Sequence, residues 1–99
     1  MSIYQVLQGT GLPCAYSLFK TSQEPPYIVY MGNGQDVFDA DNTHYWSQNT
    51  YRVEYYFTTK NEQNEASIES ALLAAGYLYE KSEDIYIADQ GVFVIYYYI

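Results

Sequence analysis

The last eight residues, Val92 to Ile99, are all apolar or aromatic, and that run restricts the fold more than any other segment of the chain. A membrane-spanning helix needs about 20 such residues, so no membrane span is expected and the run reads as a strand. Eight residues of this kind along an open sheet edge would template aggregation, so the strand is predicted to be central or covered. Asp89-Gln90-Gly91 precedes it as a short hairpin connection, with Gly91 free to take a positive φ. Its predicted neighbours are Ile85 to Ala88 on one side and Tyr51 to Thr58 on the other.

Tyr51 to Thr58 is the clearest strand, with Tyr51, Val53, Tyr55 and Phe57 on one face and Arg52, Glu54, Tyr56 and Thr58 on the other. A helix follows. Thr59 with Glu62 offers a capping box and Asn61 an alternative cap; Ile68, Ala71, Leu72 and Ala75 recur at helical spacing, and Gly76 supplies the stop. Glu62, Glu65 and Glu69 are placed on the opposite, solvated side. Ser2 to Gln8 is predicted as a short helix ended by Gly9 and Gly11, Leu12 to Phe19 as a strand, and Thr21 to Pro26 as a loop. Tyr27 to Met31 reads as a strand covered on both faces. From Gly32 to Asn49 no period survives, so a long loop is expected at about residues 32–49, carrying Phe38, Tyr45 and Trp46. Tyr77 to Lys81 and Asp84 to Ala88 read as one strand broken near Ser82-Glu83. The sum is a single α+β domain over residues 1–99, with two layers and a mainly antiparallel sheet. One long helix, at about residues 61–75, and the short N-terminal helix pack on that sheet.

Fourteen of the 99 residues are tyrosine, whereas the chain has one histidine, one cysteine and four basic residues. That balance favours contact surface over catalysis. A protein that grips duplex DNA through about 6–10 phosphates needs a comparable number of cations, and this chain offers only Lys20, Arg52, Lys60 and Lys81 against a formal charge of -8. Sequence-specific nucleic-acid binding is therefore not expected. Cys14 allows no internal disulfide and has no neighbouring histidine to activate it, so it reads as a small buried hydrophobe. His44 lacks a nucleophile beside it and reads as a packing histidine. A calcium loop starting at Asp39 would need glycine at its sixth position and glutamate at its twelfth, where His44 and Thr50 stand. Gly32-x-Gly34 lacks the third glycine of a phosphate cradle, Val37 standing in its place. No catalytic, cofactor-binding or metal residues are assigned. Met1-Ser2-Ile3-Tyr4 shows no basic region followed by an apolar stretch, so a cytosolic origin is expected.

Four segments taken together resemble the small tail-completion proteins of long-tailed bacteriophages and their prophages, a family of tail terminators and tail-to-head joining proteins. They are Pro25 to Tyr30, Tyr51 to Asn61, Glu69-Ser70-Ala71-Leu72 and Gly91 to Tyr96. The resemblance spans nearly the whole chain and rests on the order and spacing of strand, loop, strand, helix and final strands. It implies an α+β structural subunit of the virion tail, made in the bacterial cytoplasm, without catalysis or cofactor. It further implies a ring, a hexamer, whose partners are copies of itself, the tail-tube protein and the head-connector protein.

Within the ring that the resemblance implies, two surfaces are expected, their residues chosen from the sequence itself. Phe38, Tyr45, Trp46 and Tyr56 are the expected protein interface, because aromatic side chains stand there where a monomer would leave polar ones. Glu62, Glu65 and Glu69 are the expected acidic lining of a bore through which DNA passes. The alternative is a monomeric protein- or carbohydrate-binding module that uses the aromatic loop.

Overall fold

A computed structural model describes residues 2–40 and 44–99, with side chains for 2–34 and 50–99. The elements run α1 (Ile3–Gln8), β1 (Cys14–Tyr16), β2 (Tyr27–Ala40), β3 (His44–Phe57), α2 (Glu62–Ala74), β4 (Glu80–Lys81), β5 (Ile85–Ile87) and β6 (Val92–Tyr98). The six strands form one mixed sheet in the order β1-β2-β3-β6-β4, with β5 also paired to β6. Only β1 and β2 are parallel; the other pairs are antiparallel. Both helices cover one face, and the fold is α+β.

Local chemistry sets the helix ends. Ser2 accepts from the Gln5 backbone while the Gln5 side chain accepts from the Ser2 backbone, a reciprocal cap that starts α1. Asn61, not Thr59, caps α2: its Oδ1 accepts from Gln63 N at 3.0 Å and Asn64 N at 3.1 Å. At the other end Gly76 N–H donates to Leu73 O and Tyr77 N–H to Leu72 O, with Gly76 at φ 90°. A Cβ at Gly76 would meet nothing within 4 Å, so only the backbone conformation opposes a side chain there. Gly76→Ala is expected to cost about 1–2 kcal/mol in thermal melting; an unchanged melt would show that the α2 stop does not depend on that conformation.

The core joins Ile3, Val6 and Leu7 of α1 and Ile68 and Leu72 of α2 to the sheet face of Ile28, Val53, Tyr55, Phe57, Ile95 and Tyr97. β6 lies between β3 on one side and the β4–β5 pair on the other, so its apolar run is covered along both edges. Between β4 and β5 the ladder is broken at Ser82, whose N–H donates to Tyr96 O and whose Oγ accepts from Tyr96 N, both at 2.9 Å.

Two expectations are corrected. The strand expected over Leu12–Phe19 is only three residues long, because Ser17 turns away at φ 65°. The long loop expected at 32–49 is instead the outer part of a β-hairpin, strands β2 and β3 being 14 residues each. A register shift between Gly32 and Gln35, with Gly34 at φ 92°, interrupts the alternation, and pairing resumes from Gln35 with Asn49 to Ala40 with His44. Strict apolar alternation is demanded only where a sheet face is buried. The β1 ladder stops at Tyr30, and the β6 side stops at Tyr51 with Ile99, so among the described residues the ladder from Gln35 outward pairs with no third strand.

Candidate functional site

The described surface has three distinctive features: a charge cluster under α2, a helix-free sheet face, and the distal hairpin. The first overturns an expectation. Glu65 is buried, 3 % exposed, and Glu69 is half-buried; only Glu62 of the three faces solvent. Glu65 lies seven residues before Leu72, two turns of helix, and so shares its inward face. Its Oε1 accepts from Lys81 Nζ at 2.9 Å. Its Oε2 lies 2.8 Å from Lys60 Nζ but off the axis of a directed hydrogen bond, so that contact is chiefly an ion pair. Lys60 also reaches Asp84 at 3.1 Å, and Lys81 reaches Glu69 at 2.8 Å. Glu69 then accepts from the hydroxyls of Tyr97 at 2.8 Å and Tyr79 at 3.2 Å.

These contacts tie α2 to β4, β6 and the β4–β5 turn, so Glu65 and Glu69 face inward onto lysines and tyrosines and do not form a solvated stripe with Glu62. Burial alone would raise the Glu69 carboxyl, but Lys81 and the Tyr97 hydroxyl outweigh it and hold it below its ordinary value. Burial likewise opposes the charge on Lys81, yet Glu69 and Glu65 hold its ammonium well above the ordinary lysine value. Tyr97 is driven far up, first by burial and then by its bond to Glu69.

The opposite face of the sheet carries no helix. Glu54 is buried there, accepting from Arg52 Nε at 2.7 Å and Tyr56 hydroxyl at 2.6 Å. Arg52 also meets Met31 Sδ at 2.9 Å and lies over the Tyr96 ring, 5.6 Å from its centre. Tyr56 stacks on Tyr27 with ring centres 5.1 Å apart. Tyr56 therefore stands on the outer sheet face, where it screens an internal carboxylate. Burial and the Glu54 hydrogen bond push its phenol well up.

Phe38, Tyr45 and Trp46 have side chains outside the described residues. Their backbone belongs to the distal hairpin, where Phe38 stands opposite Trp46 and Asp39 opposite Tyr45. The hairpin thus brings three of the four expected interface residues to one arm and leaves Tyr56 on the body. Asp36 and His44 are likewise strand residues with undescribed side chains, and Asp41 and Asn42 lie outside the described residues.

Burial pushes the Cys14 thiol up, which keeps it protonated and a poor nucleophile. Arg52, Lys60 and Lys81 are bound in ion pairs, so Lys20 is the one basic side chain without such a partner among the described residues. Among those residues no helix is long and apolar enough to cross a membrane. No family model matches this chain, and no curated protein matches it significantly.

Proposed function

We propose that this chain is a non-catalytic structural subunit of a phage or prophage tail, closing the tail tube and joining it to the head connector as an oligomeric ring, a hexamer. The observation that carries the reading is the hairpin. The domain measures 50 × 27 × 27 Å, and the distal ladder from Gln35–Ala40 to His44–Asn49 pairs only with itself among the described residues. Six residues at about 3.3 Å each give this arm a reach of about 20 Å. An isolated two-stranded ribbon is marginal at best in water, so an arm of this length gains its stability from whatever it lies against. A ring subunit or tube end supplies that surface.

The charge agrees with this role. A chain at -8 whose cations are mostly spent in internal ion pairs lets DNA pass without holding it. With Glu65 and Glu69 internal, that effect belongs to the net charge and not to one helix face.

Electron microscopy of virions carrying this chain tests the reading: the protein is expected at the head–tail junction, and intact, infectious particles lacking it would refute the role. A shortened hairpin supplies a second test. Replacing residues 33–50 by Asn-Gly joins the paired residues Gly32 and Tyr51 with a favoured two-residue turn. The variant is expected to keep a cooperative melt close to that of the full chain, since the ladders to β1 and β6 are untouched. Its tails are expected to remain unjoined to heads. Full infectivity with the shortened hairpin would remove the arm from assembly.

A further inference from the structure

We infer that successive copies of this chain join edge to edge, the β1 edge of one against the β4–β5 edge of the next. This deepens the ring reading and rests on it, naming the two surfaces that the ring would bring together.

The first support is where the exposed large apolar side chains fall. Among the described residues they are Tyr4, Tyr16, Leu18, Leu73, Leu78, Tyr86 and Tyr98. Leu73 stands on α2, and the other six lie towards the two ends of the strand order. Tyr4, Tyr16 and Leu18 gather at β1, where the Tyr4 and Tyr16 rings both pack on Tyr30, with centres 6.3 and 5.4 Å away. At the other end Leu78 and Tyr98 line one groove at the base of the hairpin, and Tyr86 stands apart from them on β5, packed on Phe93 with ring centres 4.9 Å apart. Leu18 is 65 % exposed and Leu78 is 84 % exposed, values that core packing does not explain. Natural sheet edges are usually blunted with charge; β1, Cys14–Tyr16, carries none, and the charged β4 strand, Glu80–Lys81, is preceded by the exposed Leu78.

The second support is topology. β1 and β4–β5 are the opposite ends of the sheet, so each copy offers two different surfaces. A contact between different surfaces is head-to-tail, and it closes into a ring when the rotation between copies permits. Strand direction fits as well. β1 is parallel to β2, and the steps from β2 to β3, β3 to β6 and β6 to β4 are each antiparallel. β1 therefore runs opposite to β4 and β5, and a second copy's β1 laid beside them continues the sheet antiparallel.

Charge supplies the third support. Lys20, without an ion pair among the described residues, lines the β1 groove with Leu18. At the far edge Glu80 and Glu83 are exposed and also lack ion pairs among the described residues. One edge offers a cation and the other anions that are outside any ion pair among the described residues, an arrangement that favours contact between unlike edges over contact between like ones.

Two variants test the contact. Leu18→Glu disables the β1 edge and Leu78→Glu disables the other; both positions are exposed, so each variant is expected to keep the wild-type circular dichroism and melt. Alone, each is expected to lose self-association about tenfold or more in sedimentation and native mass spectrometry. Mixed in equal amounts, they retain one live edge each and are expected to form a 1:1 dimer that grows no further. Variants that assemble like wild type, or a mixture no more associated than its parts, would overturn the edge contact. So would a wild-type chain that stays monomeric at the highest concentration reached. In each of these cases the ring reading still stands or falls separately on the virion images.

Discussion

Above pH 10 the folded chain is expected to lose about 1.4 kcal/mol of stability per pH unit for every tyrosine that the fold keeps un-ionised. Tyr97 and Tyr56 carry the largest shifts, both upward from an ordinary value of 10.0, through burial first and through hydrogen bonds to Glu69 and Glu54 second. A phenol raised in the folded state contributes stability that is complete below its unfolded value. That contribution is lost as pH rises, because the unfolded chain ionises first. With both phenols held neutral the loss is about 2.7 kcal/mol per pH unit, enough to exhaust a typical net stability of about 5–15 kcal/mol within a few units. Tyr27, Tyr30 and Tyr55 are also raised by burial and act in the same direction. Urea melts between about pH 8 and about pH 11, followed beside phenolate absorbance, measure the effect. A native protein whose fourteen tyrosines all titrate in one step near the ordinary value would contradict it.

Lys81→Met is expected to destabilise the subunit by about 2–3 kcal/mol. Breaking a buried pair costs about 3–5 kcal/mol, and the lower figure allows for Lys60 still beside Glu65 and for a Lys81 side chain about one-third exposed. The loss comes from Glu65 and Glu69, which keep their burial and lose their shared cation. Adding Glu65→Met should recover at least half of it, since replacing both members of a buried pair by apolar groups is often neutral or better. Denaturant melts of the two variants decide the matter; equal stability of the single and double variants would show that burial of Glu65 carries little cost. On the acid side, Glu69 is held below its ordinary value of 4.5, so its contribution is present above that pH and is lost as pH falls through the depressed folded value.

The same cluster marks how far sequence reading reached. Spacing alone already places Glu65 on the inward face, two turns before Leu72, and that signal was available; counting the carboxylates as one solvated stripe obscured it. What makes Glu65 tolerable there is Lys81, sixteen residues away and on another element, which no local pattern announces. The hairpin failed for a different reason. Gly32-Asn33-Gly34 shifts the register, and polar residues such as Gln35, Gln48 and Asn49 in the ladder beyond it give strand pairing no periodic apolar signature.

Burial repeated at a fixed spacing is a local property. The sequence by itself therefore determined the α+β class, the two helices with their Ser2 and Asn61 caps and the Gly76 stop, and the central place of Val92–Tyr98 beside Arg52–Phe57. Pairing between distant strands is not local. Only the tertiary structure decided that Gln35–Ala40 and His44–Asn49 pair as the two sides of an arm, that Glu65 and Glu69 face inward onto lysines, and that Tyr4, Tyr16 and Leu18 lie together at the β1 end of the sheet. Each of those outcomes depends on which segments meet across the sheet, and the chain sets that through its whole folded free energy, not through any single stretch of residues.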